Sequence, residues 1–352
     1  MAAYGKKKRQ GDASAFRKLK ADLRAGTIGC AYIFYGEESY QREHYLKSLQ
    51  KKLIPDGFET FNFHALEGAN LTVKALSDMA EAMPMMTERT LITVTDYDIF
   101  KQPKDQQEKL TAFLEDLPPY CCVVFVYDTL EYKPNGNQRK LCKALESHVQ
   151  AVEFRREEGA ALVEWIGRHF RALGKDIDRR TAEHLIFTCG GLMTGLAQEI
   201  QKIGAYAQGP VITKADIDAV AAPVLSAGVF NLTSAVTQGD YDKAASILGE
   251  LLNMQADPIN ILSVLGLELR RIWQAKVALD TGRSQAWLMD LLDIRYESIA
   301  GKLLAAARRT SAEWCAEAVK SCQALDRRLK SERGVDGEAE LKLLLMQLGA
   351  KA

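Results

Sequence analysis

The strand-to-helix turn Tyr35-Gly36-Glu37-Glu38-Ser39-Tyr40 is the first place in this 352-residue chain where chemistry could be housed. A nucleotide-binding α/β protein uses such a turn to free a run of backbone N–H groups with glycines and to aim a lysine at the β- and γ-phosphates. Here one glycine is followed by two carboxylates, which would repel a triphosphate. Gly36, Glu37, Glu38 and Ser39 therefore read as a degenerate phosphate loop that holds no cofactor. Asp128, after the apolar run Cys121–Tyr127, sits where an ATPase strand would carry a metal-binding acid. Without the loop lysine, its commoner role as a strand-end turn residue takes precedence.

The rest of the reactive inventory is equally spare. The five histidines (44, 64, 148, 169 and 184) form no H-E-x-x-H and no zinc-spaced set with cysteine, so no metal site is expected. No G-x-S-x-G elbow occurs, and Gly190–Gly191 and Gly334–Gly337 lack the strand-before-helix setting of a dinucleotide loop. No catalytic residue is assigned. Seven cysteines, odd in number and without a C-x-x-C pair, suit reduced thiols in a cytoplasmic protein. The start carries Lys6, Lys7, Lys8 and Arg9 but no apolar stretch after them, and no run approaches the roughly 18 residues that span a bilayer. No membrane partner is expected, and 1–12 reads as a basic, disordered tail.

The elements that position these groups fall into two regimes. Up to about residue 155, short β-branched and aromatic runs alternate with helix-period segments, the pattern of a parallel sheet with crossover helices. The spacing predicts strands at Cys30–Tyr35, Glu59–Phe63, Thr90–Val94, Cys121–Tyr127 and Gln150–Phe154, with helices near 39–53, 71–82, 104–115 and 137–147. From Glu157 onward the strand signal ends and the chain reads as all helix, beginning with the stripe Leu162, Trp165, Ile166, His169, Phe170 and Leu173. Gly174 and Gly190–Gly191 read as helix stops, and Thr213 as an N-cap with Asp216 at N3. A boundary is placed within Ala221–Gly228, ahead of longer amphipathic helices at 240–254, 257–280, 295–307, 311–330 and 337–348. The expected organisation is α/β plus all-α: an α/β domain over 13–156, a small helical domain over 157–224 and a longer helical domain over 225–352.

Forty-six basic against forty-six acidic residues give no net charge, so no long-range attraction to nucleic acid is built into the whole molecule. Any DNA contact must be local or supplied by partners. Arg327, Arg328, Lys330 and Arg333 form the basic group with a DNA-facing reading, set against the ordinary one of a solvated helix face.

Four segments, in order, resemble the delta subunits of bacterial clamp loaders. Tyr32-Ile33-Phe34-Tyr35-Gly36-Glu37-Glu38 is similar to that family's first strand and decayed phosphate loop. Ala82-Met83-Pro84-Met85-Met86-Thr87-Glu88-Arg89-Thr90-Leu91 resembles its stretch in which a helix ends in two apolar residues and an arginine before a strand. Glu199-Ile200-Gln201-Lys202-Ile203, and Phe230 with Gly239-Asp240 and Asp257-Pro258, resemble signatures of its second and third domains.

The resemblance implies an AAA+-like domain with a lost nucleotide site, a helical lid, and a helical collar that joins gamma/tau and delta-prime subunits in a hetero-pentamer around primer-template DNA. It also implies a protein that is no ATPase itself and that grips the sliding clamp, beta, and helps open it. Carried over by position, the clamp-binding residues are Pro84, Met85, Met86, Thr87 and Arg89, the two methionines replacing the commoner leucine and aromatic ring. Periodicity alone places Met85 and Met86 in the core beneath the next strand; the motif places them outward. Arg89 is expected to anchor the turn, and Glu199 with Lys202 to form a surface ion pair. The competing functions are an active AAA+ ATPase and a DNA-binding adaptor without a clamp partner.

Overall fold

The computed structural model describes the backbone of residues 3–350 and the side chains of residues 14–350, so the basic tail expected at 1–12 lies outside the residues whose side chains are described. The chain divides into two compact units, residues 1–156 and 157–352.

The first unit runs α1 (Ala3–Ala25), β1 (Ala31–Tyr35), α2 (Ser39–Leu53), α3 (Glu59–Asn62), β2 (Phe63–Glu67), α4 (Val73–Ala80), β3 (Thr90–Thr95), α5 (Lys104–Glu115), β4 (Cys121–Val126), α6 (Arg139–His148) and β5 (Gln150–Glu153). All five strands are parallel, in the order β2-β3-β4-β1-β5. β4, at the centre, is buried along its whole length, as a strand covered on both faces must be.

The two-residue alternation of a strand sorts the side chains between two cores. Ile33, Ile92, Val94, Val123 and Phe125 pack under α4, α5 and α6 with Leu76, Leu110 and Leu141. Tyr32, Phe34, Leu91, Cys122 and Val124 pack on the opposite face with Leu19 of α1 and Leu49 and Leu53 of α2. The connection after β1 therefore crosses one face and the connection after β4 the other. The carboxyl ends of these neighbouring strands form a topological switch point, where an open α/β sheet offers a ligand crevice.

Two features of this unit depart from the sequence expectation. The run 59–63, read as a strand, is the one-turn helix α3, with β2 displaced to 63–67. Its aromatic content suggests a strand, but Glu59 caps the preceding Gly57 N–H at 2.8 Å and Asn62 N–H closes onto the Phe58 carbonyl, so local bonds settle the turn first. From Ser14 on, α1 also forms an unanticipated helical cover: Leu19 is fully buried and Phe16 meets Phe154 edge-to-face at 5.6 Å.

The second unit runs α7 (Gly159–Ala172), β6 (Asp176–Ile177), α8 (Arg179–Cys189), α9 (Met193–Tyr206), β7 (Val211–Ile212), α10 (Lys214–Val220), α11 (Leu225–Thr237), α12 (Tyr241–Asn253), α13 (Pro258–Asp280), α14 (Gln285–Leu291), α15 (Glu297–Arg309), α16 (Ala312–Ser331) and α17 (Gly337–Ala350). It is not purely helical, because β6 and β7 form a two-residue parallel ladder. Two residues are too few to show a period in sequence, as seven are for α14.

Gly174 and Gly190 take positive φ at the ends of α7 and α8, and Thr213 with Asp216 forms a reciprocal capping box on α10. The irregular link is shorter than 221–228: α11 already begins at Leu225. Gly228 lies inside α11, and a Cβ there would come within 2.7 Å of a Leu251 methyl of α12. Close helix approach, rather than a turn, accounts for that glycine. A single core gathers α11 to α17 around Leu262, Leu265, Leu269 and Ile272 of α13. Among the described residues no single helix is long and apolar enough to cross a membrane.

Candidate protein-binding turn and degenerate phosphate loop

The segment after α4 leaves the helix at Glu81 and has no regular structure until β3 starts at Thr90. Pro84 supports that exit, since the residue before a proline is steered away from helical geometry. The apolar side chains then face water: Met83 is 79%, Met85 53% and Met86 82% exposed. Met86 has φ +57°, a left-handed conformation costly for a residue with a Cβ. The core placement of Met85 and Met86 that periodicity favours is not what the fold adopts.

Three groups hold this turn. Asn62, at the end of α3 and fully buried, accepts the Met85 N–H on Oδ1 at 2.7 Å and donates Nδ2 to the Met85 carbonyl at 3.0 Å. Thr87 donates its hydroxyl to the Arg89 carbonyl at 3.0 Å. Arg89 turns inward and donates to the carbonyls of Ile28 (2.6 Å), Gly29 (3.0 Å) and Cys121 (3.2 Å), tying the foot of β3 to the approaches of β1 and β4. Its guanidinium is spent on the scaffold, as the anchoring reading expects. Asn62 was missed in sequence because the segment read as a strand. A small polar residue between two aromatics, Phe61 and Phe63, was the available signal.

At the switch point the turn at residues 36–39 is packed from within. Gly36 has φ +116°, and a Cβ there would fall 2.3 Å from the Phe154 carbonyl oxygen, so glycine is needed for close packing on the end of β5. Glu37 points outward to Arg156 at 3.0 Å. Glu38 is fully buried at the N-cap of α2, and its side chain makes no capping bond to the helix. Ser39 opens the helix. Arg42 of α2, 4% exposed, donates to the Gly36 carbonyl at 2.8 Å and pairs with Asp128 beyond β4, bridging the crevice.

Asp96, at the end of β3 with φ +55°, also shapes this rim and was not singled out from sequence. Its carboxylate accepts the N–H groups of Asp128 (2.8 Å), Thr129 (3.1 Å) and Leu130 (3.1 Å) and the Thr129 hydroxyl (2.6 Å). Burial pushes its pKa up, but the Thr129 hydroxyl and the three N–H donors outweigh that and hold it below the ordinary aspartate value. Among the described residues no group of three or more His, Cys, Asp or Glu could hold a metal ion.

Two family models match this chain. The one described as DNA polymerase III, delta subunit, matches residues 32–155, and the one described as DNA polymerase III delta subunit, C-terminal domain, matches residues 226–348. The chain belongs to the DNA polymerase III delta subunit family. It is 25% identical over 337 residues to the DNA polymerase III subunit delta of Bacillus subtilis strain 168, covering 93% of this chain and 94% of that one. It is 21% identical over 304 residues to a probable DNA polymerase III subunit delta of Aquifex aeolicus strain VF5, covering 84% of each. The solved structure of the Bacillus subtilis DNA clamp loader delta protein shares the fold at a TM-score of 0.53 and 22% identity, covering 96% of this chain and 99% of that one.

In this delta-family chain two of the four residues in the basic group around the end of α16 are engaged in ion pairs. Arg328 makes a two-pronged pair with Glu340 at 2.7 and 3.0 Å, and Lys330 pairs with Asp326 at 2.7 Å. Arg327 and Arg333 have no ion pair among the described residues. Glu199 and Lys202 pair at 2.8 Å on α9, and Glu199 also accepts the Ala222 N–H at 3.4 Å, tying the helix to the link that follows α10.

Proposed function

We propose that this chain is the subunit of a clamp loader that grips the sliding clamp through the methionine turn, helps open it for loading onto primer-template DNA, and turns over no substrate itself. The observation that carries this reading is the outward display of Met85 and Met86, at the position the family motif assigns to clamp contact, on a turn held by the Asn62 side chain. Burying a methionine side chain is worth roughly 1.5–3 kcal/mol, so two supply about 3–6 kcal/mol before association costs are met. The flexible thioether suits a pocket whose shape changes as a ring interface is sprung. Pro84 and Thr87 shape the turn and Arg89 anchors it.

In this reading residues 157–224 form the lid and 225–352 the collar that joins gamma/tau and delta-prime subunits in a cytoplasmic hetero-pentamer, where those partners supply ATP hydrolysis. The filled crevice at Gly36, Glu38 and Arg42 supports a subunit without a nucleotide cofactor. Replacing Met85 and Met86 together with aspartate tests the proposal in a binding assay with the cognate clamp. The expected result is at least about a hundredfold loss of affinity with an unchanged unfolding transition, because exposed positions tolerate such changes. Unchanged clamp affinity, or micromolar ATP binding that depends on residues 36–40, would overturn it.

A further inference from the structure

We infer that Asn62 is the positioning residue of the methionine turn and that Phe61, beside it, is a further apolar contact for the same ring-shaped partner. This rests on the clamp-binding reading above.

Asn62 uses its whole amide. Besides the two bonds to Met85, Nδ2 donates to the Phe58 carbonyl at 3.2 Å, so one buried side chain links α3 to the backbone just before Met86. Met86 itself is in the left-handed region, a geometry that persists when its surroundings over-determine it. Asn62 fixes the turn on one side, and Thr87 with Arg89 fixes it on the other. Release of the Asn62 clamp lets the turn relax to conformers that aim Met86 elsewhere. The apparent affinity then falls by the fraction of molecules still holding the competent shape.

α3 also decides where Phe61 points. Phe58 and Phe63 pack against the core on the α1–α2 face of the sheet, while Phe61 is 54% exposed. A one-turn helix sends Asn62 inward and leaves its neighbour outward, whereas the strand expected at 59–63 would have given a different set. Phe61, Met83, Met85 and Met86 thus lie on two segments joined by the Asn62 bonds. Exposed aromatic and methionine side chains grouped in this way are typical anchors for a protein partner.

The test uses the full chain and the sliding clamp of the same organism, reading association and dissociation rates together with hydrogen exchange at the Met85 amide. Asn62→Ala is expected to lower affinity about tenfold, mostly through a slower association rate, and to speed Met85 exchange to a similar degree while core amides stay protected. Asn62→Asp keeps the acceptor for the Met85 N–H and loses the donor, so it is expected to fall between wild type and alanine. It carries the test if the alanine variant fails to fold. Phe61→Ala is expected to raise the dissociation rate about tenfold with Met85 exchange unchanged.

Met86→Asp separates the two levels of the argument. If it leaves binding intact, the clamp-binding reading fails. If it abolishes binding while Asn62→Ala speeds Met85 exchange without altering the association rate, the positioning role of Asn62 is overturned. An unchanged dissociation rate in Phe61→Ala removes Phe61 from the contact.

Discussion

Two arginines, each turned inward, do different things for the two turns of the first unit. Arg42 bridges the crevice at the switch point from Gly36 to Asp128, and Arg89 anchors the methionine turn to three carbonyls. Arg42→Ala leaves a part-buried carbonyl without its donor and removes the ion pair, although the half-exposed Asp128 can rehydrate. The expected cost is about 1–3 kcal/mol in urea unfolding, with no gain of ATP binding, because the buried Glu38 remains. A stable variant that binds ATP would show that Arg42, rather than the loop's own chemistry, blocks the crevice. Of the residues in these turns, Gly36, Glu37, Glu38 and Arg89 were singled out in the sequence. It left Arg42, Asn62 and Asp96 unseen, because each acts on groups 23 to 86 positions away in the chain.

Helix starts in the second unit are written locally, and their pH response follows from the carboxylates that make them. The Thr181 N–H and hydroxyl hold the N-cap Asp178 below its usual range, and the Thr213 hydroxyl and N–H do the same for Asp216. Each folded-state pKa is depressed, so the stabilisation is complete above the unfolded value of about 3.9 and is lost as the pH falls through the lower folded values. Circular dichroism on acidification is expected to show α8 and α10 weakening below about pH 4, and Asp178→Ala is expected to cost about 1 kcal/mol. An α8 that melts at the same pH with or without Asp178 would contradict this.

Glu268 on α13 runs the other way. Burial pushes its carboxyl up against the pull of Arg271 at 2.8 Å, so any stabilisation linked to its proton is present at low pH and lost as the pH rises through the raised value. Glu268→Gln, which removes the buried charge at neutral pH, is expected to leave the melting temperature unchanged or raised. A loss above about 1 kcal/mol would count against it.

At the scale of the whole molecule, the two compact units each bury their own core, and the methionine turn with all its supports, Asn62, Thr87 and Arg89, lies in the first. Residues 1–156 expressed alone are therefore expected to unfold cooperatively and, on the clamp-binding proposal, to bind the clamp within a few fold of the full chain, measured by circular dichroism and pull-down. A folded fragment that no longer binds would place essential contacts in the second unit. The sequence by itself determined the parallel α/β domain followed by helices, most element positions, the Thr213 cap, the Gly174 and Gly190 stops, and a first strand-to-helix turn with one glycine and two carboxylates. Those features rest on interactions within a few residues and on hydrophobic periods that need no distant partner. Tertiary structure alone decided that Met85 and Met86 face out where periodicity would bury them, and that Arg42 bridges the crevice. Such outcomes depend on bonds made across the sheet, between groups that neither spacing nor propensity brings together.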